Sequence, residues 1–373
     1  MTSRLEMPSG LVTLSTTVHP TNPITTTIST ILLPTPLLTN EILIKVFAVA
    51  SNPKDWLHLV AMGTSLNSGD DLAGIVVATG SEVSRFCPGD RVAAFHPMGK
   101  PYGAYAQYAI APEHTTFHIP EAMIFEEAST IPLVSLTAAL TLFRRQGFTA
   151  PWEPDADTKS HKPLLVYGAS TSLGTYAIKL AKLAGVTPII AIGGGSSDYV
   201  KGLLDLPRDV FSDYRAGMRT LKEEIKHISN ERMLTLANGL DAVNDDDSWV
   251  HVSQMLHGGR LSVFSGAKRY DEEDISKDVE IIYTFVGTGH EGSYRQGMPK
   301  QPSAEDAQGD VDFARRFFVW LEDALRQGKY SGHPYEIIPG GLDGVSEGLN
   351  RLRRGQSRGK KLVYQVEHGM GEE

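Results

Sequence analysis

The segment Leu164–Gly185, LLVYGASTSLGTYAIKLAKLAG, holds the residue types most readily put to chemical use. Residues that favour an extended chain run into Gly168. A helical pattern then opens near Gly174, with Leu173, Ala177, Leu180, Ala181 and Ala184 on one face. Strand, tight turn and helix place the helix start at the carboxyl edge of a sheet. Free backbone N–H groups and the positive end of the helix dipole favour an anion there. The small residues Gly168, Ser170, Thr171, Ser172 and Gly174, with Leu173 among them, let a pyrophosphate approach the backbone. Of the glycine pattern only Gly168 and Gly174 remain, and Thr171-Ser172 stands at its centre. Taken alone, the stretch fits an ordinary strand-to-helix turn as well as a phosphate cradle.

The next strand, TPIIAIGGG, arrives one crossover later and completes a βαβ unit of Rossmann type. An acid at the end of that second strand would accept from a ribose 2′-hydroxyl and repel a 2′-phosphate. Gly193, Gly194 and Gly195 stand there instead. Ser196 and Ser197 can donate to phosphate oxygens. Lys201 can neutralise them, with a solvated helix lysine as its other reading. Asp198 reads as the N-cap of the helix that carries Tyr199 and Val200. With a dinucleotide at this turn, the strand end favours NADPH over NADH.

One cysteine, Cys87, excludes an internal disulfide framework and cysteine-rich zinc sites. His290-Glu291, in GTGHEG, reads as a loop rather than a metal site. A chain of 373 residues with 41% hydrophobic content reads as two globular domains. A net charge of −9 without a long basic block argues against nucleic acid as a partner. The opening MTSRLEMPSGLVTLSTT lacks the apolar core of a signal peptide, and no stretch approaches roughly 18 uninterrupted apolar residues. A cytoplasmic protein with no membrane partner is expected.

Three parts position these residues. Residues 1–128 are β-rich, with strand patterns in EILIKVFAVA, LAGIVVATG and, after a Pro-Gly turn, RVAAF. Residues 129–297 alternate short apolar strands with amphipathic helices, the pattern of a parallel sheet. Residues 298–373 return with a helix over Val311–Gly328, a strand at YEIIP, a helix at VSEGLNRLRRG and a final strand at KKLVYQV. Thr149–Lys162 reads as a polar surface insertion, and Gly297–Asp310 as a loop.

Seven motifs occur in order: SNPKDW, GDDLAGIVVATGSEVSRFCPGDRVAAF, YGAYAQYAIAP, EEASTIPLVSLTAALTLF, VYGASTSLGTYAIKLAKLAG, LHGGRLSVFSG and GKKLVYQVE. Together they resemble the medium-chain dehydrogenase/reductase superfamily over nearly the whole chain. Within it they resemble the zinc-independent quinone-oxidoreductase-like branch, which includes fungal trans-acting enoyl reductases of polyketide pathways. The resemblance implies an α/β fold: a GroES-like β-rich catalytic domain split around a Rossmann doubly wound parallel-sheet domain, with the nicotinamide in the cleft between them. Where zinc-dependent members carry Gly-His-Glu, this chain has Gly69-Asp70-Asp71.

The same resemblance assigns site residues. Asn52, Lys54 and Asp55 follow a first-domain strand that faces the nicotinamide, and stand as the catalytic candidates. Relatives often carry a lysine where this chain has Leu57; His58 is a neighbouring polar residue, with packing or solvent contact as its alternative. Tyr214 matches a tyrosine near the adenosine phosphate. Phe264, Ser265, Phe285 and Val286 match strand ends that cover the nicotinamide, and Gly359 matches a further cofactor contact. Leu133, Ser135, Leu136, Thr137 and Met298 are expected at the substrate, with Ser135 and Thr137 also read as caps of a helix start. Without a zinc ion to polarise an alcohol or ketone, the implied acceptor is an apolar, conjugated carbonyl compound. Hydride goes to the β-carbon, the oxyanion of the enolate is stabilised, and a proton follows at the α-carbon. A polyketide synthase is the implied protein partner. An NADPH:quinone oxidoreductase and a catalytically silent NADPH-binding relative are the alternative readings.

Overall fold

The computed structural model describes residues 11–153, 162–292 and 304–366. Strands β1 (Val12–His19) and β2 (Thr25–Leu32) pair as an antiparallel ribbon. Then come β3 (Glu41–Ala50), helix α1 (Lys54–Met62), β4 (Asp71–Thr79), β5 (Arg91–Phe95), β6 (Tyr108–Pro112), β7 (Thr116–His118) and α2 (Phe125–Ser129). Helix α3 (Pro132–Ala139) runs into a π-helical turn, Leu140–Arg145. Next are β8 (Leu164–Tyr167), α4 (Ser172–Leu183), β9 (Ile189–Gly193), α5 (Asp198–Leu203), β10 (Val210–Asp213), α6 (Met218–Glu231), β11 (Asn238–Asp241), α7 (Ser248–Ser253), β12 (Gly259–Val263) and β13 (Val279–Tyr283). Helix α8 (Ala304–Arg326), β14 (Tyr335–Ile337), α9 (Val345–Arg353) and β15 (Lys361–Gln365) close the order.

By its contacts the chain divides into two compact units, residues 1–133 with 314–373 and residues 134–313. The divisions fall inside α3 and α8. In the first unit a seven-stranded sheet has the order β14-β15-β3-β4-β5-β7, with β6 also on β3. β3 is buried along most of its length on both faces, so EILIKVFAVA alternates only weakly in sequence. Ile42, Ile44, Val46, Leu72, Tyr105 and Tyr364 lie in the core beneath this sheet.

The second unit holds a six-stranded parallel sheet, β10-β9-β8-β11-β12-β13. The strand order reverses between β8 and β11, and ligands of open parallel sheets bind at the carboxyl ends of strands beside such a reversal. Trp249, fully buried, packs with Leu165, Ile190, Leu221, Ile225 and Leu261.

Two expectations change. The phosphate-turn helix opens at Ser172 rather than near Gly174. The helix expected from Val311 opens at Ala304, so 304–310 are helical rather than loop. Their polar sequence is explained by partners elsewhere in the second unit. Asp310 is fully buried against Arg144 Nε at 3.1 Å and Arg145, and accepts from Thr288 Oγ1 at 2.7 Å. A methyl on Gly309 would lie 2.5 Å from Arg144 Nη2, so the helical glycine makes room for that guanidinium. No helix among the described residues is long and apolar enough to cross a membrane.

Candidate active site

Gly168 takes φ +76°, and α4 begins four residues on with Thr171 in the N-cap position. Thr171 Oγ1 accepts the Gly174 N–H at 3.0 Å, and the N–H groups of Ser172 and Leu173 have no intrahelical acceptor. A methyl on Gly174 would lie 2.4 Å from the Gly168 carbonyl oxygen and 2.8 Å from Ala169 Cα. A glycine at 174 therefore allows the helix start to pack closely on the strand end. A methyl on Gly168 would lie 2.6 Å from Val243 Cγ2 on the loop after β11. The turn is thus seated at the sheet's reversal point.

At the end of β9 the structure separates the two serines. Ser196 is exposed, whereas Ser197 is buried. The Ser197 hydroxyl donates to Gly194 O at 2.5 Å and lies 2.9 Å from Ser170 Oγ. A hydroxyl has one proton, so neither Ser197 nor the Ser170 that donates to it has an O–H left for a phosphate. α5 begins at Asp198, with Ser197 rather than Asp198 in the N-cap position and no side-chain cap. Tyr214 covers Gly194: a methyl there would lie 2.7 Å from its ring. Lys201 Nζ sits 4.7 Å from the centre of the Phe211 ring. Arg215, not anticipated from sequence, points a guanidinium nitrogen to within 3.3 Å of where a Gly195 methyl would be. It is paired with Asp213, Nε to Oδ1 at 3.0 Å and Nη2 to Oδ2 at 2.6 Å, which holds the Asp213 carboxyl down at about 2. Tyr214, Arg215 and Lys201 therefore surround the glycine end of β9.

Phe264 and Ser265 follow β12 directly. Phe285 caps the short turn Val286–Gly289 after β13. All four lie at the carboxyl edge of the sheet's second half.

In the first unit the catalytic candidates belong to a buried polar network. Asn52 Nδ2 donates to Asp71 Oδ2 at 2.8 Å, and Lys361 Nζ donates to both Asn52 Oδ1 and Asp71 Oδ2 at 2.8 Å. The other Asp71 oxygen accepts the Leu133 N–H at 2.7 Å. Asp55 Oδ2 accepts from the Asn52 N–H at 2.8 Å and from the Tyr105 hydroxyl at 2.6 Å. A methyl on Gly69 would lie 2.8 Å from the Tyr105 ring, so glycine there lets the phenol reach Asp55. Lys54 Nζ donates to Ser68 O at 2.6 Å and pairs with Asp55 at 3.0 Å and with Asp70. Ser68 O is thus its hydrogen-bond acceptor, while Asp55 and Asp70 are its ion-pair partners. Burial would lower the Lys54 ammonium, but Asp55 and Asp70 outweigh it, and the group is held above its ordinary value. His58, half-buried, is pulled down to about 4 by burial and by Lys54, so its imidazole is neutral at pH 7. Gly359 takes φ +72° before β15, and its carbonyl accepts from His333 Nε2 at 2.8 Å.

Asp70 is pushed up to about 7, chiefly by burial, with Lys54 opposing and Asp55 adding. Its folded value exceeds the unfolded value of about 4, so its contribution to stability is fully present below about pH 4. It is lost as pH rises through about 7. Asp70→Asn should flatten the decline of unfolding free energy across that window. Denaturant titrations at several pH values check this; an unchanged slope would count against it.

Leu133, Ser135, Leu136 and Thr137 lie on α3, all buried, with Ser135 and Thr137 in the helix body rather than at its start. Met298 lies outside the described residues. Among the described residues no group of three or more His, Cys, Asp and Glu is placed to hold a metal ion.

Residues 39–121 match the alcohol dehydrogenase GroES-like domain. The chain is 32% identical over 306 residues to a trans-enoyl reductase, fsr4, of Gibberella fujikuroi, covering 80% of this chain and 84% of that one. The chain belongs to the trans-enoyl reductase family. The family is a branch of the medium-chain dehydrogenase/reductase superfamily, as the order of the seven motifs implied. The CurK enoyl reductase superimposes with a TM-score of 0.69 at 18% identity, over 95% of this chain and 99% of that one. A putative zinc-dependent alcohol dehydrogenase from Rhizobium etli gives 0.73 at 19% identity, over 95% and 99%. The fold is thus shared by proteins described as different oxidoreductases, and by itself does not choose between them. The superfamily fold takes a nicotinamide cofactor. The glycine-dependent turn at Gly168–Gly174 fits the pyrophosphate of such a group, and the open end of β9 fits its adenosine ribose.

Proposed function

We propose that the chain is an NADPH-dependent enoyl reductase acting on a carbon–carbon double bond conjugated to a carbonyl in an apolar, polyketide-like substrate. The observation that carries this is the match to trans-enoyl reductases across four-fifths of the chain, 80%. When bound, the nicotinamide supplies a hydride to the β-carbon of the acceptor. The chain's own residues supply position. Gly168–Gly174 would receive the pyrophosphate. Asn52, Lys54 and Asp55 act as positioning residues: their polar atoms are taken up by one another and by Asp70, Asp71, Tyr105 and Lys361. That network fixes the chain where β3 passes into α1. Leu133 is the apolar group we assign to the substrate side, whereas Leu136, with no exposed surface, belongs to the core.

Preference for NADPH rests on the cations beside Gly193–Gly195. Arg215 and Lys201 are the cations there, and Tyr214 offers a hydroxyl. The Arg215–Asp213 pair is largely exposed, and exposed pairs are worth little, so a 2′-phosphate can take the guanidinium over at small cost. Arg215→Gln should weaken NADPH binding by about 10–100-fold while leaving NADH unchanged. Calorimetric titration of both cofactors checks this, and equal losses for the two would contradict it. Turnover of enoyl thioesters, enones and quinones with NADPH tests the reaction; hydroquinone formation without enone or enoyl turnover would overturn it. Faster reduction of carrier-bound than of free thioester would support a polyketide synthase as the partner.

A further inference from the structure

The loop after β11, LDAVNDDDSW, carries a residue whose side chain serves another strand. Asn244 is buried, with φ +53°. Its Nδ2 donates to Asp241 O at 2.8 Å, and its own N–H donates to Asp241 Oδ1 at 3.1 Å. Those bonds fix it to the end of β11. Its Oδ1 then accepts two backbone N–H groups from the end of β12, that of Phe264 and that of Ser265 at 3.1 Å. Tyr270 completes the grip: its hydroxyl lies 3.0 Å from the Ser265 N–H and donates to Ser265 O at 2.9 Å. Its ring stands edge-on to Trp249, with centroids 5.2 Å apart. Both backbone polar groups of Ser265 are therefore occupied, and among the described residues its hydroxyl has no hydrogen-bond partner. That residue borders a cavity of about 380 Å³ lined also by Gly266, Lys268 and Tyr283.

The position of this clamp gives it a use. A doubly wound sheet holds a dinucleotide as two halves on either side of the reversal point. The phosphate turn and the ribose residues Tyr214 and Arg215 belong to β8, β9 and β10, so the adenosine half falls there. The nicotinamide half falls on the ends of β11, β12 and β13. Val243, one residue before Asn244, is also the residue that Gly168 packs against. The loop therefore touches the phosphate turn on one side and holds the β12 end on the other.

We propose that Asn244 is a positioning residue for the nicotinamide half of the site, its side-chain amide fixing the Phe264–Ser265 backbone so that the Ser265 hydroxyl is presented to the ring's carboxamide. This rests on the NADPH reading above. The side chain acts through Phe264 and Ser265 and touches no reacting atom.

The test separates the two halves of the cofactor. Asn244→Gly keeps access to the positive φ and removes the amide; Asn244→Ala removes both. For Asn244→Gly we expect NADPH to bind about tenfold more weakly, the scale of a lost hydrogen-bonded contact. The same variant should bind 2′-phospho-ADP-ribose, which lacks the nicotinamide, as the wild type does. KM for NADPH should rise and kcat fall. If Asn244→Gly binds NADPH and turns over like the wild type while Asn244→Ala does not, the residue serves only its own backbone and the proposal is wrong. Equal loss of NADPH and of the fragment would mean a general structural role and would also overturn it. If the wild type binds the fragment and NADPH no better than NADH, the NADPH reading itself has failed.

Discussion

Lys361→Met is expected to remove about 3–5 kcal/mol of folding stability, because it strips the partner from a fully buried carboxylate. The Lys361 side chain is 3% exposed and that of Asp71 is 0% exposed. Lys361 Nζ is the cation that faces Asp71, at 2.8 Å, and it also supplies the hydrogen bond to Asn52 Oδ1. Methionine fills similar volume but carries no charge and no donor. Asp71 is then left without its cation in a low-dielectric site, which costs free energy. Because the cost lies in the orphaned partner, it should be relieved when that partner changes too. A double-mutant cycle with Asp71→Asn should give a coupling of about 1–3 kcal/mol, with the double variant less destabilised than the sum of the singles. Denaturant unfolding of the four proteins measures it. Strict additivity would show that the pair is not a unit and that the network does not hold β15 to β3 and β4 as described.

The second large effect is on cofactor binding. Gly174→Ala should weaken NADPH binding by at least about tenfold, with an accompanying stability loss of about 1–3 kcal/mol from overpacking. The added methyl would meet Gly168 O at 2.4 Å and Ala169 Cα at 2.8 Å, and both belong to backbone that cannot rotate away. Relief requires α4 to withdraw from the turn, which moves the N–H groups of Ser172 and Leu173. Gly202, with nothing within 4 Å of an added methyl, is the matched control: Gly202→Ala should bind NADPH normally. Unimpaired binding by Gly174→Ala would show that the phosphates lie elsewhere.

How far these features are legible in sequence depends on the distance between partners. The strand, turn and helix at Leu164–Leu183 are local, and the apolar face and two glycines display them directly. The bond from Lys361 to Asp71 spans 290 positions, so GKKLVYQV reads as a strand with a lysine and not as half of an ion pair. Asp310 made a helix start look like a polar loop for the same reason, since Arg144 and Arg145 are far upstream. Ser197 failed differently. Its residue type suits a phosphate, but the direction of its hydroxyl, toward Gly194 O, belongs to the folded turn. Arg215 and Asn244 sit in runs of polar residues, DYRAG and VNDDD, where nothing local marks one side chain as pointing to a strand end. Charge and hydrogen-bond direction were thus the hidden variables, while periodicity and turn chemistry were open to view.

The central claim is that this chain delivers a nicotinamide hydride to a carbon–carbon double bond. The direct measurement is single-turnover reaction of the purified chain with NADPH deuterated at C4 and an α,β-unsaturated thioester. Mass spectrometry and NMR then locate the label in the product. Deuterium at the β-carbon of a saturated thioester is the predicted result; label found only at the carbinol carbon of an alcohol, with the double bond intact, would contradict it.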